Sequence, residues 1–272
     1  MASVGKGVVA DRGNPTLISG GNMQDVIVGR NAVREALRSN RSFNKVLVQE
    51  GSHGGSLGEI ISLAEARKIP VEKVAKEVLD RLADGVRHQG VAAQGAPVAF
   101  QDLDAVLAKV ESKGETPLLL LLDELQDPQN VGALIRTANA AGVHGVLLPQ
   151  RRSCPLNAVV AKISAGAVEY VPVIQIGNIP RTMQKLKEKG FWIVGADMDG
   201  KEQYFDANLT GPLVLVVGAE GKGLGRLVKE NCDFIVRIPM LGQVSSLNAS
   251  VAGGILLYDI VRQRILAERK QK

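Results

Sequence analysis

Apolar positions follow two patterns along the chain: continuous apolar runs, and segments in which apolar residues recur at helical spacing. Near-continuous apolar runs such as PLLLLLD (117–123) and PLVLVVG (212–218) predict strands that are covered on both faces, as in a parallel sheet. Between such runs, apolar residues recur at helical spacing, for example Val131, Leu134 and Ala138. This exchange of strands and helices predicts an α/β protein whose larger part is a doubly wound parallel sheet.

The same pattern separates two units. Residues 25–96 predict a small α/β unit, and residues 97–116 predict a linker that contains one helix. Residues 117–272 predict the larger unit, which ends in a long helix. Residues 1–24 are rich in glycine and lack the apolar stretch of a secretory signal, so we expect a disordered tail there.

Three segments carry local signals. Residues 71–84, VEKVAKEVLDRLAD, fit either one helix or a short strand followed by a helix, whereas residues 157–170, NAVVAKISAGAVEY, predict a single helix. In the third segment, Asp127 has the position of a helix cap, Pro128 suits the first turn, and Gly142 stands just past the expected end.

Composition narrows the classes of function. The 272 residues are 45% hydrophobic, enough for a full core, but only 3% aromatic, which disfavours a surface built on base stacking. The net charge of +5 is compatible with a nucleic-acid partner and equally with an ordinary basic protein. No apolar run approaches the roughly 18 residues of a membrane span, so we expect no membrane contact.

Metal and hydrolase chemistry lack their usual residues. The two cysteines, Cys154 and Cys232, form no CxxC pair, and the three histidines form no HExxH motif. A GxSxG nucleophile elbow is also absent from the sequence. We therefore expect no bound metal, and the two thiols favour a reducing compartment, the cytoplasm.

A glycine-rich loop, GAEGKGLG (218–225), follows the second apolar strand quoted above. It is not a phosphate-binding P-loop, because Leu224 stands where that motif needs lysine, and Arg226 stands where a dinucleotide fingerprint needs its third glycine. Two other strand exits are also irregular, DELQDPQNVG (123–132) and IPMLGQVSSLNAS (238–250). Because ligands bind at the carboxyl ends of parallel strands, the three exits predict one composite site.

Three motifs at these exits resemble one protein family. DPQNVGALIRTANAAG (127–142), VVGAEGKGLG (216–225) and RIPMLGQVSSLNASVAGG (237–254) together resemble the SpoU-type (TrmH) branch of the SPOUT RNA methyltransferases. The first unit, closed by HQGVAA (88–93), resembles the small ribosomal-protein-like RNA-binding domain of the subgroup that methylates large-subunit ribosomal RNA. Many relatives carry asparagine at the position of Ala219, but GAEG is similar to the guanosine-modifying subgroup.

The resemblance implies a trefoil-knotted domain, S-adenosylmethionine as methyl donor, a homodimer, and transfer to a ribose 2′-hydroxyl of RNA. A guanosine of large-subunit ribosomal RNA is the expected target, with transfer RNA as the alternative substrate. A non-catalytic RNA-binding assembly factor with the same fold is a third interpretation. The expected contacts to the donor are Gly218, Ala219, Gly221, Ile238, Pro239, Met240 and Leu247. Glycines at 218, 221 and 242 would let bare backbone approach it.

The resemblance also implies a catalytic set. Arg136 matches the catalytic arginine of the family, either as the base that removes the hydroxyl proton or, because guanidinium stays protonated, as a group that binds phosphate and stabilises the developing alkoxide. Asn130 and Asn248 would orient the ribose or serve as caps and turn supports. Glu220 would order Arg136 or an arginine of a partner subunit. Ser246 would bond the hydroxyl or begin the last helix.

Arginines of the first unit are the expected RNA contacts. Arg30, Arg34, Arg38 and Arg41 recur on one face of a helix and its exit, a pattern that suits phosphate contacts but also an ordinary solvated helix face. Arg151 and Arg152, just after a strand of the larger unit, form a second candidate patch.

Overall fold

The computed structural model describes residues 26–39, 41–95 and 98–271. The tail expected for residues 1–24 lies outside these ranges. In the described ranges the strands are β1 (Val26–Val28), β2 (Phe43–Gln49), β3 (Val71–Val74), β4 (Val91–Gly95), β5 (Leu118–Leu122), β6 (Gly145–Pro149), β7 (Val173–Ile176), β8 (Trp192–Ala196), β9 (Glu202–Gln203), β10 (Leu213–Val217) and β11 (Phe234–Arg237). The helices are α1 (Arg30–Arg38), α2 (Gly55–Ala66), α3 (Lys76–Ala83), α4 (Leu103–Ser112), α5 (Pro128–Ala140), α6 (Ala158–Ile163), α7 (Ile179–Glu188), α8 (Arg226–Asn231) and α9 (Ala249–Gln271).

The small unit is a four-stranded sheet with helices. Its strand order is β1-β4-β2-β3, with β4 antiparallel to both neighbours and β2 parallel to β3. Of the two possibilities for residues 71–84, the strand followed by a helix is confirmed, as β3 and α3. Apolar side chains of α1 and α2, among them Val33, Leu37 and Ile60, are buried in its core.

The larger unit is a seven-stranded parallel sheet of order β7-β6-β5-β10-β8-β11-β9, as the apolar strands predicted. Strand β10 lies between β5 and β8 and is buried along its whole length. Its last residue, Val217, pairs with Leu122 of β5 and Ala196 of β8. The three strands therefore end at one level, and the segments that follow them meet at the same edge of the sheet.

Two local predictions differ from the structure. The single helix expected over 157–170 is wrong, because α6 ends at Ile163 and left-handed residues follow at Ala165 (φ 51°) and Gly166 (φ 86°). A methyl group at Gly166 would lie 2.5 Å from Cβ of Glu35 in α1, so the chain turns where the small unit packs against it. The two-residue edge strand β9 was not predicted, because so short a segment leaves no periodic pattern.

The two units contact each other through a buried ion pair. The guanidinium Nη1 of Arg41 lies 2.7 Å from Glu169 Oε1, and the two side chains are only 7% and 6% exposed. Nearby, the hydroxyl of Tyr170 donates to Glu35 Oε2 at 2.7 Å.

Among the helices in the described ranges, none has the length and apolar character required to cross a membrane.

Candidate functional site

A cavity of about 330 Å³ opens at the carboxyl edge of the parallel sheet. Its walls come from the segments after β8, β10 and β11 and from the start of α9. Six of the seven residues expected to contact the donor line it, namely Gly218, Ala219, Gly221, Ile238, Met240 and Leu247. Pro239 lies in the chain between two of these residues but does not itself line the cavity. Donor contact by all seven stays a prediction.

The glycine-rich loop folds back on itself. A methyl group at Gly218 would lie 2.3 Å from the carbonyl oxygen of Gly223, and the Gly223 amide donates to the Ala219 carbonyl at 2.9 Å. Gly221 and Gly223 have φ values of 76° and 65°, which side-chain-bearing residues rarely adopt. The loop's own closure thus requires three of its glycines. A methyl group at Gly242, in contrast, would meet no described atom within 4 Å.

Asp197, which follows β8, holds this loop from one side. Its Oδ2 accepts a hydrogen bond from the Leu224 amide at 3.0 Å, and its Oδ1 lies 2.9 Å from the ammonium of Lys229. Burial alone would raise the pKa of Asp197, but hydrogen bonds from Leu224, Lys229 and Asp199 outweigh it, so the pKa lies below its ordinary value. The carboxylate is therefore kept ionised beside the cavity.

Asp123, which follows β5, holds the same loop from the other side. The carboxylate is 3% exposed, and its Oδ2 accepts a hydrogen bond from the Gly225 amide at 2.8 Å. Gly225 directly precedes α8, so the bond fixes the end of the loop. Burial raises the pKa of Asp123 despite this hydrogen bond. Sequence reasoning missed both aspartates, although each occupies the first position after an apolar strand, where a parallel sheet places its ligands.

The three motifs meet in a cluster of polar side chains. The amide nitrogen of Asn248 donates to Asn130 Oδ1 at 2.8 Å and lies 3.3 Å from Glu220 Oε2, and the Asn130 amide nitrogen lies 3.4 Å from the same carboxylate oxygen. The structure therefore brings Asn130, Glu220 and Asn248 together from segments separated by 118 residues at most. We call these three residues the polar triad.

Asn248 also caps the last helix. Its Oδ1 accepts hydrogen bonds from the amides of Ser250 and Val251 at 3.0 and 3.3 Å. Both interpretations of Asn248, as a cap and as a polar group of the site, are thus compatible with one side chain. Ser246 does not begin the helix; it is exposed and lines the cavity, where its hydroxyl is available to a ligand.

Arg136 lies apart from the cavity of its own chain. It is exposed on α5, and in the described ranges no hydrogen bond or ion pair joins its side chain to another residue. In particular, Glu220 contacts the two asparagines of the polar triad rather than Arg136. An ordered Arg136–Glu220 pair within one chain is therefore not formed.

The arginines expected to contact RNA differ in their partners. Arg34 and Arg38 form ion pairs with Glu35 and Glu59, and Arg41 is buried against Glu169. The buried pair argues against a phosphate contact at Arg41, because its charge is already compensated. RNA contact at the other positions stays a prediction.

Of the remaining three arginines, Arg30 and Arg151 form no ion pair in the described ranges, whereas Arg152 does. Arg30 donates only to carbonyl oxygens and to a serine hydroxyl. In the second patch both arginines are exposed, and Arg152 pairs with Glu124 at 2.8 Å.

The cavity suits a compact ligand with apolar and cationic parts. Ile238, Leu247 and Leu256 supply apolar surface, while the carboxylates of Asp197 and Glu220 supply negative charge. Its volume falls within the about 300–1,000 Å³ typical of small-molecule sites. S-adenosylmethionine, which combines an adenine with a sulfonium, has this character. Within the described ranges no group of three or more His, Cys, Asp or Glu side chains could hold a metal ion.

Comparison with protein families gives two matches along the chain. Residues 117–258 match the model of the SpoU rRNA Methylase family, and residues 26–101 match the model of the RNA 2′-O ribose methyltransferase substrate-binding domain. A relative from Bacillus subtilis (strain 168), YacO, whose name places it in the TrmH family of tRNA/rRNA methyltransferases, is 45% identical over 240 residues. That alignment covers 88% of this chain and 96% of the relative.

Solved structures show the same fold. The SpoU methyltransferase AviRb from Streptomyces viridochromogenes, in complex with the cofactor AdoMet, superposes with a TM-score of 0.74 at 25% identity and covers 89% of this chain and 90% of its own. A crystal structure named RNA 2′-O ribose methyltransferase gives a TM-score of 0.73 at 27% identity, with 88% of each chain covered.

Proposed function

The chain belongs to the SpoU family of RNA ribose 2′-O-methyltransferases, which use S-adenosylmethionine, and we propose that its target is a guanosine of large-subunit ribosomal RNA. The single observation that carries the proposal is the meeting of three separate motifs, through the polar triad, beside the cavity. The GAEG form of the glycine loop, similar to that of the guanosine-modifying subgroup, supports the choice of base and RNA.

The proposed chemistry is methyl transfer, which depends on position more than on proton transfer. When bound, S-adenosylmethionine supplies an electrophilic methyl group on its sulfonium. In this proposal Gly218, Ile238 and Leu247 hold the donor, and Asp123 and Asp197 keep the glycine loop in its closed form. The polar triad orients the ribose, and the hydroxyl of Ser246 forms a hydrogen bond with the 2′-hydroxyl. Holding two reactants in line supplies most of the rate gain in reactions of this type.

Arg136 has the catalytic role in the proposal. Its guanidinium stays protonated, so it binds a neighbouring RNA phosphate and stabilises the negative charge that develops on the ribose oxygen as the hydroxyl proton passes to solvent water. Removal of the hydroxyl proton by Arg136 remains the less favoured alternative. Arg136 does not line its own chain's cavity, which supports the part of the proposal in which it acts on the cavity of a second copy.

A homodimer would bring these parts together. On α9, Val251, Tyr258 and Ile265 recur every seven residues and are 51%, 51% and 44% exposed, so they form an apolar stripe along the helix. Leu241 and Val244, in the segment before α9, are 97% and 68% exposed. Exposed apolar residues of this kind, some of them next in sequence to residues that line the cavity, suit a symmetric contact between two copies.

The proposal also includes the finer expectations from the resemblance. The chain after β11 would pass through the preceding loop as a trefoil knot, and the protein would work in the cytoplasm. The motif resemblance supports the knot. The two free cysteines support the compartment, since Cys154 and Cys232 form no disulfide.

Transfer RNA is the second candidate substrate, and the name of the Bacillus subtilis relative covers both RNA types. The non-catalytic interpretation is disfavoured because the polar triad and the cavity are both intact.

The test is to incubate the protein with donor labelled on its methyl group and with unmodified large-subunit ribosomal RNA or transfer RNA, and to map the methylated ribose. Label at one guanosine ribose of the ribosomal RNA is expected. Label in transfer RNA alone would select the alternative substrate, and label in neither RNA would contradict the proposal.

A further inference from the structure

A second cavity, of about 590 Å³, lies in the small unit, away from the cavity at the carboxyl edge of the parallel sheet. Arg30, Lys76, Arg87, His88 and Gln89 contribute to its walls. It is polar, open and large enough for a nucleotide-sized group. Two of the cations on these walls, Arg30 and Arg87, have no carboxylate partner among the described residues, whereas Arg34 and Arg38 of α1 have such partners.

The charge of Arg30 is held in place but not neutralised. Its guanidinium donates to the carbonyl oxygens of Gln89 and His53 at 3.0 and 3.3 Å and to Ser56 Oγ at 3.1 Å. None of these partners is a carboxylate. Arg30 therefore keeps its positive charge at a fixed place beside the cavity, in contrast to Arg34 and Arg38 on the same helix, which are paired with glutamates.

Arg87 is a second uncompensated cation on the same wall. Its side chain is exposed, and in the described ranges no ion pair joins it to an acid. The acid that does line this cavity, Asp80, already contacts His88 Nε2 at 3.0 Å and Lys76 at 4.0 Å. The carboxylate therefore already has Lys76 and His88 as neighbours, and the charge of Arg87 is left without a paired acid in the described ranges.

Lys162 of the larger unit lies next to Gly29, the residue before Arg30, although it does not itself line the cavity. It lies on α6, and a methyl group at Gly29 would be 3.8 Å from Lys162 Cγ and 3.9 Å from the carbonyl oxygen of Arg87. Burial and the charge of Arg87 lower the pKa of Lys162. The two cations therefore repel each other across the contact between the units, an arrangement that an anion would relieve.

The turn that carries these groups is rigid. His88 Nδ1 accepts a hydrogen bond from the Gly90 amide at 3.0 Å, and Gln89 Oε1 accepts one from the backbone amide of Arg30 at 2.9 Å. Gln89 and Gly90 both have positive φ, 56° and 81°. These hydrogen bonds fix the backbone beside Arg30 and Arg87 before any ligand arrives, which lowers the entropic cost of binding.

We propose that Arg30, Arg87 and Lys162 form one binding site for the RNA phosphate backbone across the contact between the two units. Three converging cations suit a polyanion, and phosphate contacts fix the position and register of a nucleic acid rather than its sequence. Because the site draws on both units, it sets the position of the RNA relative to the methyl-transfer cavity. The inference rests on the proposed function, since it takes RNA as the substrate.

The test compares the double variant Arg87→Gln/Lys162→Gln with Lys109→Gln/Arg181→Gln, which removes two exposed cations from α4 and α7, helices that do not line this cavity. Binding of large-subunit ribosomal RNA transcribed in vitro is measured over a range of salt concentrations. The first variant should weaken binding on the order of tenfold to a hundredfold at about 0.1 M salt and flatten the salt slope by roughly 1.5. The charge-preserving variant Arg87→Lys/Lys162→Arg should keep the wild-type slope.

Binding of S-adenosylmethionine, followed by calorimetry, should be the same in all variants and reports that each is folded. A slope that equals that of the control variant would overturn the inference. So would tight binding of inorganic phosphate, lost in the double variant, with RNA binding unchanged, because the site would then serve a small anion.

The two proposals fail in distinguishable ways. If the wild type methylates RNA but the double variant binds RNA like the control variant, only the inference is wrong. If the wild type methylates neither ribosomal nor transfer RNA, the proposed function is wrong, and the inference falls with it.

Discussion

Asp123 and Gly225 are 102 residues apart in sequence, and a hydrogen bond of 2.8 Å from the Gly225 amide to Asp123 Oδ2 joins them. The bond ties the end of β5 to the end of the glycine-rich loop. The first motif, which contains Asn130 of the polar triad, also follows β5 in the chain. The end of β5 therefore supports both the glycine-rich loop and the polar triad.

Removing the acceptor at this position should loosen the loop. We expect Asp123→Ala to lower the free energy of unfolding by about 1–3 kcal/mol, because the Gly225 amide then lacks its partner. The same variant should weaken binding of S-adenosylmethionine. Asp123→Asn keeps an acceptor oxygen and should stay close to the wild type. Denaturant unfolding and calorimetry measure both effects, and equal values for Asp123→Ala and the wild type would refute the role.

Asp197 predicts a pH dependence of stability. Its pKa in the folded protein lies below the ordinary value of 3.8, so the ionised form stabilises the fold above about that pH. This stabilisation is lost as the pH falls from 3.8 through the lower pKa of the native state. Asp197→Asn should therefore be destabilised relative to the wild type at neutral pH, and the difference should shrink as the solution is acidified.

The control for this prediction is Asp199→Asn. Asp199 also pairs with Lys229, but its side chain is 81% exposed. Its neutralisation should change stability much less, because surface ion pairs contribute little. If the difference in free energy of unfolding between Asp197→Asn and the wild type stayed constant from neutral to acid pH, the stabilising role of the ionised Asp197 would be contradicted.

The closure of the glycine-rich loop can be tested by adding one methyl group. Gly218→Ala would place a carbon 2.3 Å from the carbonyl oxygen of Gly223, so the loop must open, and we expect binding of S-adenosylmethionine to fall more than tenfold, about 1.4 kcal/mol or more. Gly177→Ala, in the segment after β7, meets no described atom within 4 Å and is the matched control. Calorimetric titration measures the affinity of the two variants for S-adenosylmethionine. Similar affinities would show that donor binding does not need the closed loop.

Catalysis across a dimer predicts complementation between two inactive variants. Arg136→Ala keeps an intact cavity, and Gly218→Ala keeps an intact arginine. In a mixed dimer one of the two sites regains both parts, so random exchange should restore roughly a quarter of wild-type activity. The methylation rate of each variant alone and after mixing is the measurement. A mixture as inactive as its components would mean that Arg136 acts within its own chain.

Local patterns in the sequence predicted the parallel sheet, and the family resemblance of its motifs pointed to eight of the residues that line the cavity, Glu220 and Ser246 among them. Apolar runs that fill whole strands reveal a sheet covered on both faces, and the motifs at the strand ends carry fixed spacing. The cap formed by Asp127 was likewise predictable from its neighbours, and the structure confirms it, with hydrogen bonds from Gln129 and Asn130.

Contacts between distant segments were not predictable in this way. The pair Arg41–Glu169 spans 128 residues, and no periodicity links its members, so Arg41 looked like part of an exposed arginine face. Asp123 and Asp197 were missed because an acid after a strand is common and only the folded loop shows what it holds. The break after α6 depends on the approach of α1, which a single helical pattern does not reveal.

The central claim is that the cavity at the carboxyl edge of the parallel sheet holds the methyl donor. The most direct measurement is a crystal structure of the protein soaked with S-adenosylmethionine. We expect donor density in contact with Gly218, Ile238 and Leu247, and we expect Asp123 and Asp197 to keep their hydrogen bonds to the glycine-rich loop. Density at any other place, including the cavity beside Arg30 and Arg87, would contradict it.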